Sequence, residues 1–251
     1  MSMKMILDTA KASIIAGNYP KVVLAGNKKT GVSIMDNVPQ LTCYGACPIR
    51  DKCYDVRILK LRPNVLKSRA LRHYLIALAP EVYIRKAIGE IMAGGYSQVR
   101  IYAGGDFTPS HVPILSAIMA ALPGVRFYMI SKTIRTHILH ALTLLTFPNF
   151  FLNISECADF YFDSVWDDLR DHARVNTVYT LLVEDKDYDR ARKADIVFNV
   201  SKAKPAIKLY KAQTLPLCPC DAKDIPSEGA CGSCRLCSVK GGVRFNLQGA
   251  N

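Results

Sequence analysis

The sequence predicts an α/β fold: a parallel sheet or partial (β/α) barrel of parallel strands with an outer helix layer, then a small Cys-rich C-terminal metal-binding lobe. Three observations carry this. From Gln98 onward, short apolar runs that end in polar residues alternate with amphipathic stretches, most starts lying about 25 residues apart. The runs are rich in Val, Ile, Phe and Tyr and read as buried parallel strands, not as half-exposed alternating ones. From about Leu215 the periodicity stops, and Cys, Gly and Pro dominate. The boundaries that follow are 1–214 for the α/β body and 215–251 for the lobe.

The N-terminal MSMKMILDTAKASIIAG carries Lys4, Asp8 and Lys11, which interrupt the apolar run a secretory signal needs. KVVLAG (21–26) and GVSIM (31–35) read as strands around GNKKTG, a hairpin or the first barrel strand. GNKKTG is basic and Gly-bounded, but it lacks the spacing of a phosphate-binding loop and reads as a turn. SRALRHYLIALAPEVYIRKAIGEIMAGG (68–95) reads as two helices broken near Pro80. The later strands are QVRIYAGGD (98–106), VRFYMISK (125–132), FFLNISE (150–156), NTVYTLLVED (176–185) and DIVFNVSK (195–202). VPILSAIMAALPG (112–124) has helical spacing and closes in Pro-Gly.

Ligands of parallel α/β folds sit at the carboxyl ends of the strands. Those ends carry Gly104, Gly105 and Asp106, then Ser131 and Lys132, then Asn153, Ser155 and Glu156. Glu184, Asp185, Asn199 and Ser201 complete the rim. Gly-Gly-Asp directly after a strand permits close backbone approach to a ligand. His111 alone of the five histidines lies near this rim, and it reads as a surface or helix-start residue.

Half of the 251 residues are apolar and the net charge is +12. Basic residues recur from Arg50 to Arg72 (Arg50, Lys52, Arg57, Lys60, Arg62, Lys67, Arg69, Arg72) and again at Lys202, Lys204, Lys208 and Lys211. Such a balance suits nucleic acid or a nucleotide, or equally a solvated basic face. No apolar stretch is long enough to span a bilayer, so the expected setting is the cytoplasm, without a membrane partner and with thiols reduced.

In such a compartment nine cysteines point to metal and not to disulfides. Cys43, Cys47 and Cys53 form C-x3-C-x5-C in one loop, close enough to wrap one soft metal centre and one ligand short of a full set. Cys218, Cys220, Cys231, Cys234 and Cys237 resemble ferredoxin-type ligation, with tetrahedral zinc as the alternative. Three plus five thiolates fill two closed four-thiolate sites; alternatively the first loop keeps three and leaves one iron open. Cys157 reads as a buried bystander.

The three-Cys loop ahead of repeated βα units, with YAGGDFTP (Gly104, Gly105, Asp106, Pro109) at the next clear strand end, resembles the radical SAM superfamily. More closely, RIYAGGDFTP, RFYMISKT and CGSCRLC resemble a family of uncharacterised bacteriophage proteins known by a gene-product number, over roughly 40–240. The superfamily resemblance implies one 4Fe-4S cluster, or two, with Cys43, Cys47 and Cys53 holding the first. It also implies S-adenosylmethionine on the open iron and an electron donor. Gly104, Gly105 and Asp106 match the motif that meets the methionine amine, while Lys132, Asn153 and Ser155 are placed for its carboxylate, its ribose or the substrate. The chain departs from the usual pattern in its longer last Cys gap, in Lys52 before the last Cys, and in Asp106 for Glu. Two functions are expected: a radical SAM-like enzyme acting on a nucleotide, nucleic acid or peptide, or a non-catalytic iron–sulfur or zinc protein that binds nucleic acid or a host partner.

Overall fold

The structure, a computed structural model, describes residues 2–25, 32–43, 53–156, 169, 172–181 and 194–199. Helix α1 (Met3–Ile15) begins at Ser2, whose hydroxyl accepts the Met5 amide at 3.3 Å. Its buried Ile6, Ala10 and Ile14 recur every fourth residue and face α4. Strands β1 (Leu24–Ala25) and β2 (Val32–Ile34) pair antiparallel, and β2 then pairs parallel with β3 (Gln98–Ile101). The upstream segment is thus both a hairpin and the first parallel strand.

After β2 come the short α2 (Pro39–Thr42), α3 (Tyr54–Leu61), α4 (Pro63–Leu78) and α5 (Pro80–Ala93). Pro80 opens α5 where its missing amide costs nothing, which is why the break falls there. The remaining elements are α6 (Val112–Ala121), β4 (Arg126–Ser131), α7 (Ile138–Leu145), β5 (Phe150–Glu156), β6 (Val175–Leu181) and β7 (Ile196–Asn199).

The seven strands lie in sequence order, β2 to β7 all parallel. Right-handed crossovers in an unreversed order set every connecting helix on one face. Val99, Ile101, Phe127, Met129, Phe150, Leu152 and Ile154 point to that face and form one core with α4 to α7. The expected parallel α/β sheet is present. It is an open six-stranded parallel sheet with one antiparallel edge strand, and among the described residues it does not close into a barrel. The lobe from 215 lies outside the described residues.

Side chains alternate along each strand, so the opposite face carries Arg100, Tyr128, Asn153, Ser155 and Asn176. The runs looked uniformly apolar in sequence, yet this second face mixes polar groups with Ile130, Phe151 and Val178, and Asn153 and Asn176 are fully buried in it. No helix among the described residues is long and apolar enough to cross a membrane.

Candidate functional site

Two of the three loop cysteines are described, and each sits at a helix end. Cys43 closes α2, its amide donating to Pro39 O at 2.7 Å. Cys53 precedes α3, its carbonyl accepting the Arg57 amide at 3.2 Å. Both are half-buried, and neither is in a disulfide. Cys47, Cys157, Cys218, Cys220, Cys231, Cys234 and Cys237 lie outside the described residues, as do Glu184, Asp185 and Ser201. No group of three metal-ligating side chains occurs among the described residues.

The neighbours of these two cysteines are bolted to the Gly-Gly-Asp loop after β3. Thr42, next to Cys43, accepts the Asp106 amide on Oγ1 at 3.2 Å. Asp55, two residues past Cys53, accepts the Gly105 amide on Oδ2 at 3.2 Å. Asp36, after β2, accepts the Ala103 and Gly104 amides on Oδ1 at 2.6 and 3.2 Å, and Ser33 Oγ donates to its Oδ2 at 2.9 Å. The Asn37 amide donates to Gly104 O at 3.0 Å. Four successive amides, 103 to 106, therefore end on side chains of the segments that flank the Cys loop. Buried amides need partners, so this network fixes the loop mouth over the strand ends.

The glycines serve that network. A Cβ on Gly104 would fall on the Arg69 guanidinium. Gly105 has φ +75°, and a Cβ there would lie 2.6 Å from Thr42 Oγ1. Arg69 is itself held, Nη1 donating to Asp55 Oδ1 at 2.6 Å with both side chains under a tenth exposed. Arg72, one helical turn on, is also buried and donates to Ser68 Oγ at 2.9 Å. Its burial lowers the guanidinium pKa, opposed mainly by the nearby Asp36 charge. Arg69 and Arg72 thus leave the basic surface suggested by the sequence, while Arg57, Lys60, Arg62 and Lys67 are exposed.

Asp106 is buried and fully engaged. Its Oδ1 accepts the Phe107 amide at 2.7 Å and Ser131 Oγ at 2.5 Å; Oδ2 accepts the Lys132 and Thr133 amides at 3.0 and 3.2 Å. Four donors exhaust a carboxylate's ordinary accepting positions, so Asp106 shapes the turn after β4 and has no oxygen to spare for an ammonium group. Lys132 is half-buried and reaches across the rim, its Nζ donating to Ser155 Oγ at 2.8 Å. One strand over, Asn176 donates to Asn153 Oδ1 at 3.2 Å, and Asn153 donates to Met129 O at 3.1 Å. The structure therefore joins Lys132 to Ser155, and Asn153 to the unforeseen Asn176, on the polar face.

His111 is not a surface residue. It is 4% exposed, shares a hydrogen bond with the Tyr102 hydroxyl at 2.7 Å and contacts Thr108 Oγ1. Burial, with His73 nearby, pushes its pKa down to about 4. Burial first, then Asp106, raises that of Tyr102. The pair is a neutral phenol on a neutral imidazole. Sequence reasoning missed Asp36, Thr42, Asp55 and Arg69. Asp36 carried a signal, since it ends a strand as the named rim residues do, and Arg69 carried one in its place on the apolar stripe of α4; Thr42 and Asp55 lie on helices, and only the tertiary contact reveals them.

The model of the gene product 88 family matches residues 8–240. The match starts further upstream than RIYAGGDFTP, RFYMISKT and CGSCRLC led one to expect. No curated protein matches the chain, and no solved structure matches it. The chain belongs to the gene product 88 family.

Proposed function

We propose that this member of the gene product 88 family is an iron–sulfur protein of radical SAM-like type. Cys43, Cys47 and Cys53 would hold a cluster with one open iron above the strand ends. The observation that supports it is the bond pair from Thr42, next to Cys43, and Asp55, two residues past Cys53, to the consecutive amides of Asp106 and Gly105. A loop needed only for packing has no reason to be anchored at both ends to one Gly-Gly-Asp turn.

The residues fit a cluster better than they fit the usual amine contact. The half-buried thiols outside any disulfide suit a soft iron site. The Asp106 carboxylate, saturated by its four donors, does not suit the methionine ammonium, and no role in binding it is assigned to Asp106. When bound, such a cluster supplies one electron for reductive cleavage of S-adenosylmethionine to methionine and a 5′-deoxyadenosyl radical. The chain's own part would be to orient substrate at the rim, where the half-buried Lys132, bonded to Ser155, offers positive charge to a nucleotide, nucleic acid or peptide, while the fully buried Asn153 and Asn176 brace that face from within. The cysteines from Cys218 to Cys237 would hold a second cluster or zinc.

The test is anaerobic reconstitution with iron and sulfide, then addition of S-adenosylmethionine and dithionite. 5′-Deoxyadenosine is the expected product. An intact cluster that forms none, and whose electron paramagnetic resonance does not respond to S-adenosylmethionine, overturns the enzyme.

A second reading is a non-catalytic metal-stabilised protein that binds nucleic acid. The exposed Arg57, Lys60, Arg62 and Lys67 around α3 favour it. Affinity for a DNA duplex would then fall steeply with salt, because each phosphate contact releases counterions.

A further inference from the structure

We propose that the cleft between α4, α5 and the start of α6 binds a small, uncharged, planar heteroaromatic molecule of nucleoside size. This does not rest on the iron–sulfur reading. The cleft has a volume of about 630 Å³, within the range of small-molecule sites. Helices α5 and α6 each precede or follow β3 across a parallel crossover, so both begin at the carboxyl edge of the sheet, and the cleft opens on that edge. Leu41 and Thr42 form its near wall, directly before Cys43.

Its chemistry selects the ligand. Ile76, Ile84, Pro113 and Ile114, from three helices, give apolar walls that suit the faces of a flat ring. Among the described residues no Lys or Arg lines it, and Glu81 at the exposed start of α5 is the one charged side chain, which disfavours an anion. The uncharged polar groups are few: Thr42, His73, Thr108, Ser110 and His111. His111 and Thr108 already bond to each other. His73 is different. Its Nδ1 is buried with no hydrogen-bond partner, and its half-buried ring lines the cleft. An imidazole with this unused bonding capacity accounts for a ligand that brings a complementary ring nitrogen or amino group. Burial lowers the pKa of His73 and still more that of His111, so both stay neutral near pH 7 and the polar edge is uncharged. A heteroaromatic base, apolar on its faces and hydrogen-bonding on its edge, meets each of these conditions; a phosphate or an aliphatic acid meets none.

The experiment is calorimetric titration of the full chain with adenosine, alongside three variants. Ala77→Trp or Ala117→Trp fills the cleft from an exposed position, so the fold is undisturbed, and either is expected to abolish binding. His73→Leu removes one hydrogen bond and is expected to weaken binding about tenfold. A Cys43→Ser, Cys53→Ser double variant removes the loop thiolates and is expected to bind as the parent does. Binding lost in the cysteine variant but kept in the tryptophan variants would place adenosine at the Cys loop and overturn the cleft. Absence of saturable binding at millimolar adenosine would overturn it as well.

Discussion

One carboxylate, Asp55, ties Gly105 to the helix layer: Oδ2 accepts the Gly105 amide at 3.2 Å while Oδ1 accepts Arg69 Nη1 at 2.6 Å. The arginine in turn fills the space where Gly104 would carry a side chain. Charge pairing, loop conformation and the glycine requirement are one arrangement and respond together to mutation.

Asp55→Asn leaves the Arg69 guanidinium buried without its counter-charge. Removing one partner of a buried pair costs about 3–5 kcal/mol. For a chain of this size the melting temperature falls by roughly 10 °C. The double variant Asp55→Asn, Arg69→Met recovers part of the loss, because no orphan charge remains. Thermal unfolding of the three proteins checks this; a single variant within about 1 kcal/mol of the parent would show that the pair is not buried as described.

The glycines of the chain are predicted to behave in opposite ways. Gly104→Ala drives a methyl group into a guanidinium that Asp55 prevents from moving, and Gly105→Ala is strained by its φ of +75° besides. Both should express poorly or unfold early. Gly89, exposed within α5, has nothing within 4 Å of the position a Cβ would take. Gly89→Ala should stabilise by about 0.5–1 kcal/mol, the helix-propensity difference. Urea midpoints decide the matter, and equal destabilisation at all three positions would contradict it.

This contrast marks what the sequence disclosed. The strands from β3 to β7 were legible because buried parallel strands are written as short Val, Ile and Phe runs. Pro80 located the α4–α5 break by its own covalent geometry. Gly-Gly-Asp was legible as a special turn, but its cause was not, because Arg69 approaches Gly104 across 35 positions of chain. The arginines carried a signal that was passed over. Leu66, Arg69, Ala70, Arg72, Leu75 and Ile76 are the buried positions of α4, and an arginine on a helix's apolar stripe belongs to the core's charge pairs before it belongs to a basic surface. The polar positions of one sheet face were masked because Asn153 stands between Leu152 and Ile154, and Ser155 and Asn176 each follow an apolar residue of the same strand.

His111 makes stability depend on pH in a defined direction. Its folded pKa of about 4 lies below the unfolded value of 6.5. As pH falls through 6.5 the unfolded chain takes up the proton first, so stability is full above that pH and declines toward 4, below which this group adds no further slope. The loss amounts to about 3 kcal/mol. His111→Gln removes the titration and should flatten the dependence over that interval. Urea unfolding at intervals from pH 7 to 4.5 measures it; an unchanged slope would mean that the imidazole is protonated in the folded state.

The cysteine variants separate an open iron from a closed one. If the loop holds a cluster as proposed, each of Cys43→Ser and Cys53→Ser should remove it, lowering iron by about four atoms per chain while the Asp36, Asp55 and Asp106 network keeps its hydrogen bonds and thermal stability changes little. Cys157→Ser should leave iron unaltered. The decisive pair is Cys218→Ser and Cys220→Ser. If one of these thiolates closes the loop cluster, its loss will free an iron there, and S-adenosylmethionine will perturb that cluster's resonance only in the variant. If the loop holds its cluster with three thiolates, the parent protein already responds, and both variants affect the C-terminal site alone. On the proposed reading, three ligands within one loop would leave one iron of the cluster open, so the response is expected in the parent.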